Sequence, residues 1–127
     1  MKKAPLPTDA ELAILSVLWT RGPSTVREVH EALEPEQGTG YTTALKLLQI
    51  MAQKGLVERD ERTRSHVYKA LLGREQTQKR LLRDLLARAF SGSTAQLVQR
   101  ALATKPTSKE ELTEIRRMLD ALEGEER

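Results

Sequence analysis

Residues 40–57 read GYTTALKLLQIMAQKGLV. Ala44, Leu47, Leu48 and Met51 recur at i, i+3, i+4 and i+7, the spacing of one buried face of a helix running from about Thr42 to Lys54. Lys54-Gly55 ends it, glycine offering the left-handed exit that other residues resist. At about 100° per residue, Thr42, Lys46, Gln49 and Gln53 lie nearly opposite the apolar face, with Leu45 and Ile50 on the flanks. A plain surface helix would more often carry Glu and Lys there, because both form helix well and pair at i,i+4. Threonine is a weak helix former, so Thr42-Thr43 at a helix start implies either capping or contact with something outside the chain.

The flanking segments give this helix its setting. Thr8-Asp9-Ala10-Glu11 fits a capping box, and Leu12, Leu15, Leu18 and Trp19 follow as one apolar stripe until Arg21-Gly22-Pro23 stops it. A second helix, capped by Ser24 or Thr25, turns Val26, Val29 and Leu33 inward; Glu34-Pro35 is expected to close it, since the residue before proline is pushed out of the α region. Residues 36–40 form a loop with two glycines. After the central helix, Leu56 to about Arg59 reads as a short strand. Ser65 to Ala70 alternates, with His66, Tyr68 and Ala70 on one face and Val67 and Lys69 on the other. Asp60 to Arg64 is a polar tip between them. Three helices followed by a hairpin is the order of a winged helix-turn-helix, so the fold class expected is mainly α, with this unit at residues 1–73.

Residues 74–127 read as a separate helical region. Leu81, Leu82, Leu85, Leu86 and Ala89 mark one helix, Leu97, Val98, Ala101 and Leu102 a second, and Leu112, Ile115, Leu119 and Leu122 a third at 3-4-3 spacing. Short helices this rich in leucine bury little area alone, so a dimer seam is the natural outlet and an intramolecular three-helix pack the alternative. Leu82, Leu86, Leu97, Ile115 and Leu119 are the candidates for it. Linking two DNA-reading units makes the second binding event intramolecular, a gain of about 10²–10⁴.

Composition narrows the function. The 127 residues are 31% charged with net charge +3, and the pI near 9.4 is compatible with a nucleic-acid partner. There is no cysteine, which excludes disulfides and thiolate metal sites, and no metal or cofactor is expected. No apolar run or signal-peptide pattern occurs, so a cytoplasmic protein without membrane insertion is expected. Aromatics at 3% are too few for single-strand stacking platforms. His30 and His66 are the only histidines; neither sits in a nucleophile or metal motif, so no enzyme is expected.

In such a fold the third helix enters the major groove. Thr42, Lys46 and Gln49 would face base edges, where glutamine reads adenine in bidentate fashion and threonine offers hydroxyl and methyl. Leu45 and Ile50 either edge the core or touch a thymine methyl. Thr39, Tyr41 and Thr43 at the helix start suit a phosphate, as do Arg62, Arg64 and Lys69 on the wing. Asp60 and Glu61 offer a blander reading of that tip, a neutralised solvated turn. The element order also serves protein-docking modules. A protein-interaction adaptor and a sequence-blind DNA binder therefore stand beside a sequence-specific one.

The stretches PTDAELAILSVLWTRGPSTVREVHEAL and GYTTALKLLQIMAQKGLVERDERTRSHVYKAL resemble the penicillinase-repressor (BlaI/MecI) family of bacterial transcriptional repressors. The matching features are Thr8, Glu11, Leu18-Trp19, Gly22, Val26, Val29, Thr43, Leu47-Leu48, Lys54-Gly55-Leu56 and Tyr68, and FSGSTAQLVQRAL resembles the start of that family's C-terminal region. The resemblance implies a homodimer on a palindromic operator in double-stranded DNA. It implies DNA contact through the helix holding Thr42, Thr43 and Lys46 and through the wing. It also implies induction by C-terminal cleavage downstream of a membrane sensor metalloprotease. Cleaved members carry Asn-Phe after the Leu-Val pair; this chain departs from them with Gln99-Arg100-Ala101-Leu102, and Arg100-Ala101 stands in the region where the resemblance implies cleavage. The basic residue usual late in the reading helix is Ile50 here, and the cysteines of the copper-responsive branch are missing.

Overall fold

The structure, a computed structural model, describes residues 5–62 and 64–125. The elements are α1 (Asp9–Arg21), β1 (Ser24–Thr25), α2 (Val26–Gln37), α3 (Tyr41–Lys54), β2 (Val57–Asp60), β3 (Val67–Ala70), α4 (Arg74–Ala89), α5 (Thr94–Thr104) and α6 (Lys109–Glu125). The chain divides into two units, Met1–Arg83 and Asp84–Arg127. The change expected at Gly73 is where α4 begins, whereas the contacts divide further along, within α4.

The first unit is a winged helix-turn-helix. Ile14, Leu15 and Leu18 of α1, Val26, Val29 and Leu33 of α2, and Ala44, Leu48 and Met51 of α3 close around Leu56, Val57 and Tyr68. β3 pairs antiparallel with β2, Arg59 opposite Tyr68, and on its other side with β1, Ser24 opposite Tyr68. β1 is too short for its alternation to show in sequence; tertiary pairing makes it a strand. Trp19 donates its indole N–H to the Leu72 carbonyl at 3.0 Å, and the Arg74 guanidinium lies 5.7 Å from the Trp19 ring. These contacts seat the first turn of α4, with Thr77 buried, on the first unit.

The structure departs from the sequence reading at one helix end and decides a point that the reading left open at another. α2 does not close at Glu34-Pro35 but runs through Pro35 to Gln37. So close to the helix end, proline gives up one backbone hydrogen bond without blocking the turn. The exit falls at Gly38, whose φ of 62° is left-handed and whose N–H reaches the Glu34 carbonyl at 3.1 Å. The open point concerns Thr42 and Thr43. The N-cap of α3 is Gly40, with no side-chain hydrogen bond, so neither threonine caps the helix.

In the second unit Ser93 caps α5, its Oγ accepting the Gln96 N–H at 3.1 Å. Ser108 does the same for α6 through the Glu111 N–H. Among the described residues from Asp84 onward, no apolar side chain is buried.

Glu11 connects α1 to α3. One carboxylate oxygen accepts the Thr8 N–H at 2.9 Å and the other accepts the Lys54 ammonium at 2.8 Å, with the Glu11 side chain only 2% exposed. Burial alone would raise its pKa; the bonds from Lys54 and Thr8 outweigh that and hold it below the ordinary 4.5. A carboxylate with a lowered folded-state pKa contributes stability that is complete above its unfolded value and is lost as pH falls through the folded one. Glu11→Gln is expected to destabilise the protein by about 1–3 kcal/mol at pH 7. In urea melts the gap from wild type should narrow as pH falls below the ordinary carboxylate value of 4.5. A gap independent of pH would show that the charge of Glu11 contributes nothing.

Candidate nucleic-acid interface

α3 turns one face outward from the core. Thr42, Thr43, Lys46, Gln49 and Gln53 are exposed, while Ala44, Leu48 and Met51 are buried beneath them. Lys46 has no ion-pair partner among the described residues. Thr39 sits half-buried in the loop before the helix. Tyr41, the first residue of α3, is half exposed, and His30 meets its ring edge-on at 5.9 Å with an interplanar angle of 83°. His30 also pairs with Glu34 at 3.5 Å. It therefore braces the start of α3.

Beside this face lies a cleft of about 620 Å³ between α3 and the wing. Tyr41, Leu45 and Gln49 line it from α3, Thr25, Val26 and Arg27 from the start of α2, and Arg59, Arg64, Ser65, His66 and Tyr68 from the wing. The structure thus brings together three of the residues expected from sequence, Tyr41, Gln49 and Arg64. Gln49 belongs both to the outward face of α3 and to the cleft. Leu45 edges the core and also lines the cleft, whereas Ile50 is half-buried away from it.

Arg62 lies elsewhere. With Pro23, Glu58, Arg59, Asp60, Glu61, Val67 and Lys69 it lines a separate depression of about 400 Å³. Its guanidinium forks onto Asp60, Nε at 3.0 Å and Nη2 at 2.8 Å from the two carboxylate oxygens, while its backbone N–H bonds the same carboxylate. Arg59 pairs with Glu61 at 2.8 Å. The neutralised-turn reading therefore describes Arg59 and Arg62, but not Arg64. Thr63, the middle of the expected tip, lies outside the described residues.

Arg27, Arg59 and His66 were not among the residues expected from sequence. A signal for Arg27 was present. Thr25-Val26-Arg27-Glu28 is itself a capping box, with the Thr25 N–H on Glu28 at 2.8 Å and the Glu28 N–H on Thr25 Oγ1 at 3.2 Å. That box fixes where α2 begins and therefore which way Arg27 points.

Helix-turn-helix, an exposed outward face of α3 and an adjoining wing define the class as a winged-helix protein. The chain belongs to the penicillinase repressor family, whose sequence profile matches residues 7–121. It is 39% identical over 89 residues to the transcriptional regulator BlaI of Mycobacterium tuberculosis, in strains CDC 1551 / Oshkosh and ATCC 25618 / H37Rv alike. The match covers 69% of this chain and 64% of that protein, a little under two thirds of its length. The fold is similar to the solution structure of the DNA-binding domain of the repressor BlaI, with TM-score 0.51 and 27% identity over 58% of this chain and 90% of that one. It is equally similar to Bacillus licheniformis BlaI, monomeric form, in complex with the blaP half-operator: TM-score 0.51 and 27% identity, covering 59% and 92%.

The Asp60–Arg62 fork is testable by titration. The Arg62 side chain, then its backbone N–H, and the nearby Lys69 charge together hold the Asp60 carboxyl at about 2, against an ordinary 3.8. A ¹³C-carboxyl titration should show a midpoint near that value, and Arg62→Ala should return it toward the ordinary one. An Asp60 midpoint insensitive to Arg62→Ala would mean the fork does not persist in solution.

Proposed function

We propose that this chain is a sequence-specific transcriptional repressor that binds a palindromic operator in double-stranded DNA as a homodimer. The observation that carries the reading is the outward face of α3. Its threonines are not spent on capping, its lysine has no ion-pair partner among the described residues, and its glutamine adjoins an arginine-lined cleft. The likeness to a BlaI form bound to a half-operator supports the same assignment. In this reading Thr42, Lys46 and Gln49 meet base edges, and Thr39, Tyr41, Thr43 and the wing meet phosphates. A DNA target places the protein in the cytoplasm; no helix among the described residues is long and apolar enough to cross a membrane.

The helices from α4 onward support the homodimer. Leu82 and Leu119 are 50% and 54% exposed, and Leu86, Leu97 and Ile115 are only half-buried. Apolar faces left open in one copy are the kind that a second copy covers. Proteolytic induction through a membrane sensor metalloprotease pathway belongs to the same proposal. Its expected region, Arg100-Ala101, lies exposed within α5, where the Arg100 carbonyl accepts the Thr104 hydroxyl at 2.6 Å. A protease must unwind that helix locally before cutting.

Competition binding tests the reading. Duplexes from upstream of the protein's own gene, scanned for a palindrome with half-sites about one turn apart, are competed against shuffled duplex. A preference of about 10³ or more is expected. Equal affinity would instead identify a sequence-blind binder, and no retention at low salt an adaptor. Gln49→Ala should relax base preference by about 1–3 kcal/mol at one position per half-site. An unchanged selected-site profile would remove Gln49 from the reading set.

Assembly has a separate readout. Sedimentation of the full chain at micromolar concentration is expected to give a dimer, and paired Leu119→Glu and Ile115→Glu substitutions a monomer. A wild-type monomer under those conditions would exclude the proposed seam.

A further inference from the structure

The wing sorts its charges onto two sides. Glu58, Asp60 and Glu61 all line the depression that holds Arg62 and Lys69. Among the described residues, none of those lining the cleft beside α3 is acidic. The cleft has instead three arginines, Arg27, Arg59 and Arg64, over a floor that includes Val26, Leu45 and the buried ring of Tyr68. Glu61 engages Arg59. Arg27 and Arg64 have no ion-pair partner among the described residues. Two unpaired guanidiniums on separate walls of a notch without carboxylates, beside apolar surface that weakens solvent screening, suit a phosphodiester anion.

We propose that Arg27, from the first turn of α2, and Arg64, from the wing, together grip the DNA backbone at this cleft. This rests on the DNA-binding reading and deepens it. Arg27 is a phosphate-contact residue outside both α3 and the wing, and Arg64 rather than Arg59 or Arg62 is the wing cation that reaches phosphate. The capping box at Thr25 and Glu28 fixes the backbone that carries Arg27. The Asp60 fork holds Arg62 on the other side of the hairpin tip. Neither contact carries base information, so both act on all sequences alike.

The test uses the full chain and a random-sequence 30-base-pair duplex, with affinity followed by fluorescence anisotropy over a potassium chloride series. The slope of log affinity against log salt counts phosphates neutralised, about 0.9 for each in duplex DNA. Arg27→Ala, Arg27→Gln and Arg64→Ala should each flatten the slope by about one and leave the selected-site profile unchanged. Arg27→Lys should keep most of the wild-type slope. Arg88→Ala, which removes a cation already paired with Asp84 at 2.7 Å, should leave it unaltered. Thermal melts of each variant separate loss of contact from loss of fold, and the two neutral replacements at Arg27 guard against a misfolded one. Wild-type slopes for both neutral Arg27 variants, in a protein that still binds DNA, would overturn this inference and leave the proposed function standing. A wild-type chain that does not bind the duplex at low salt would overturn both.

Discussion

Glu11 is where the ends of two helices meet. Its carboxylate closes the α1 capping box through Thr8 and, with its second oxygen, holds Lys54 at the last turn of α3. Directly after Lys54 the chain reverses at Gly55, with φ 82°, and the Leu56 N–H bonds back to the Met51 carbonyl at 2.9 Å. That turn drops Leu56 and Val57 into the core and launches β2. The wing therefore leaves α3 from a point fixed against α1. A pair of this kind adds little net stability compared with a well-packed apolar replacement. Its geometric consequence is larger, because the wing that forms one wall of the cleft beside α3 starts from that exit point.

The surface on the other side of α3 follows from a different economy of hydrogen bonds. A helix start leaves four N–H groups without partners inside the helix, and most helices recruit a side chain to serve one of them. α1, α2 and α5 do so through Thr8, Thr25 and Ser93. α3 begins at Gly40, with no side-chain cap, and leaves its two threonines facing out. Its own end thereby retains donors and a partial positive charge suited to an anion. The wing adds charge selectively, since carboxylates hold Arg59 and Arg62 while Arg64 stays available. One modest net charge thus conceals a locally cationic cleft.

The helices beyond Arg83 present the opposite condition. α5 and α6 have sound local reasons to be helical, with serine caps at their starts and leucines at helical spacing. They have almost nowhere within one copy to place those leucines, and Met118, Leu119 and Leu122 are each more than half exposed. Short helices in water are marginal without tertiary packing. Their apolar faces are thus the strongest physical reason, within the chain itself, to expect a second copy.

Periodicity and capping alone determined most of the architecture of the first unit. The Thr8–Glu11 box, the apolar stripe of α3, the stop at Gly55 and the alternation around Tyr68 are local features, and local spacing is what a sequence displays. The stripe of α1 was legible only in part, since Ile14 is fully buried while Leu12 and Trp19 are half-buried. The end of α2 was not legible, because the left-handed exit at Gly38 outweighs the penalty of proline one turn earlier. β1 was not legible either, since two residues become a strand only when β3 lies beside them. The candidate site divides along the same line. The outward face of α3 follows from its helical period. That Arg62 turns to Asp60, that Arg64 joins Gln49 and Tyr41, and that Arg27 enters the same cleft were decided by tertiary structure. Those choices depend on which side of a hairpin each side chain takes and on how α2 packs against the wing, distances that no spacing along the chain encodes.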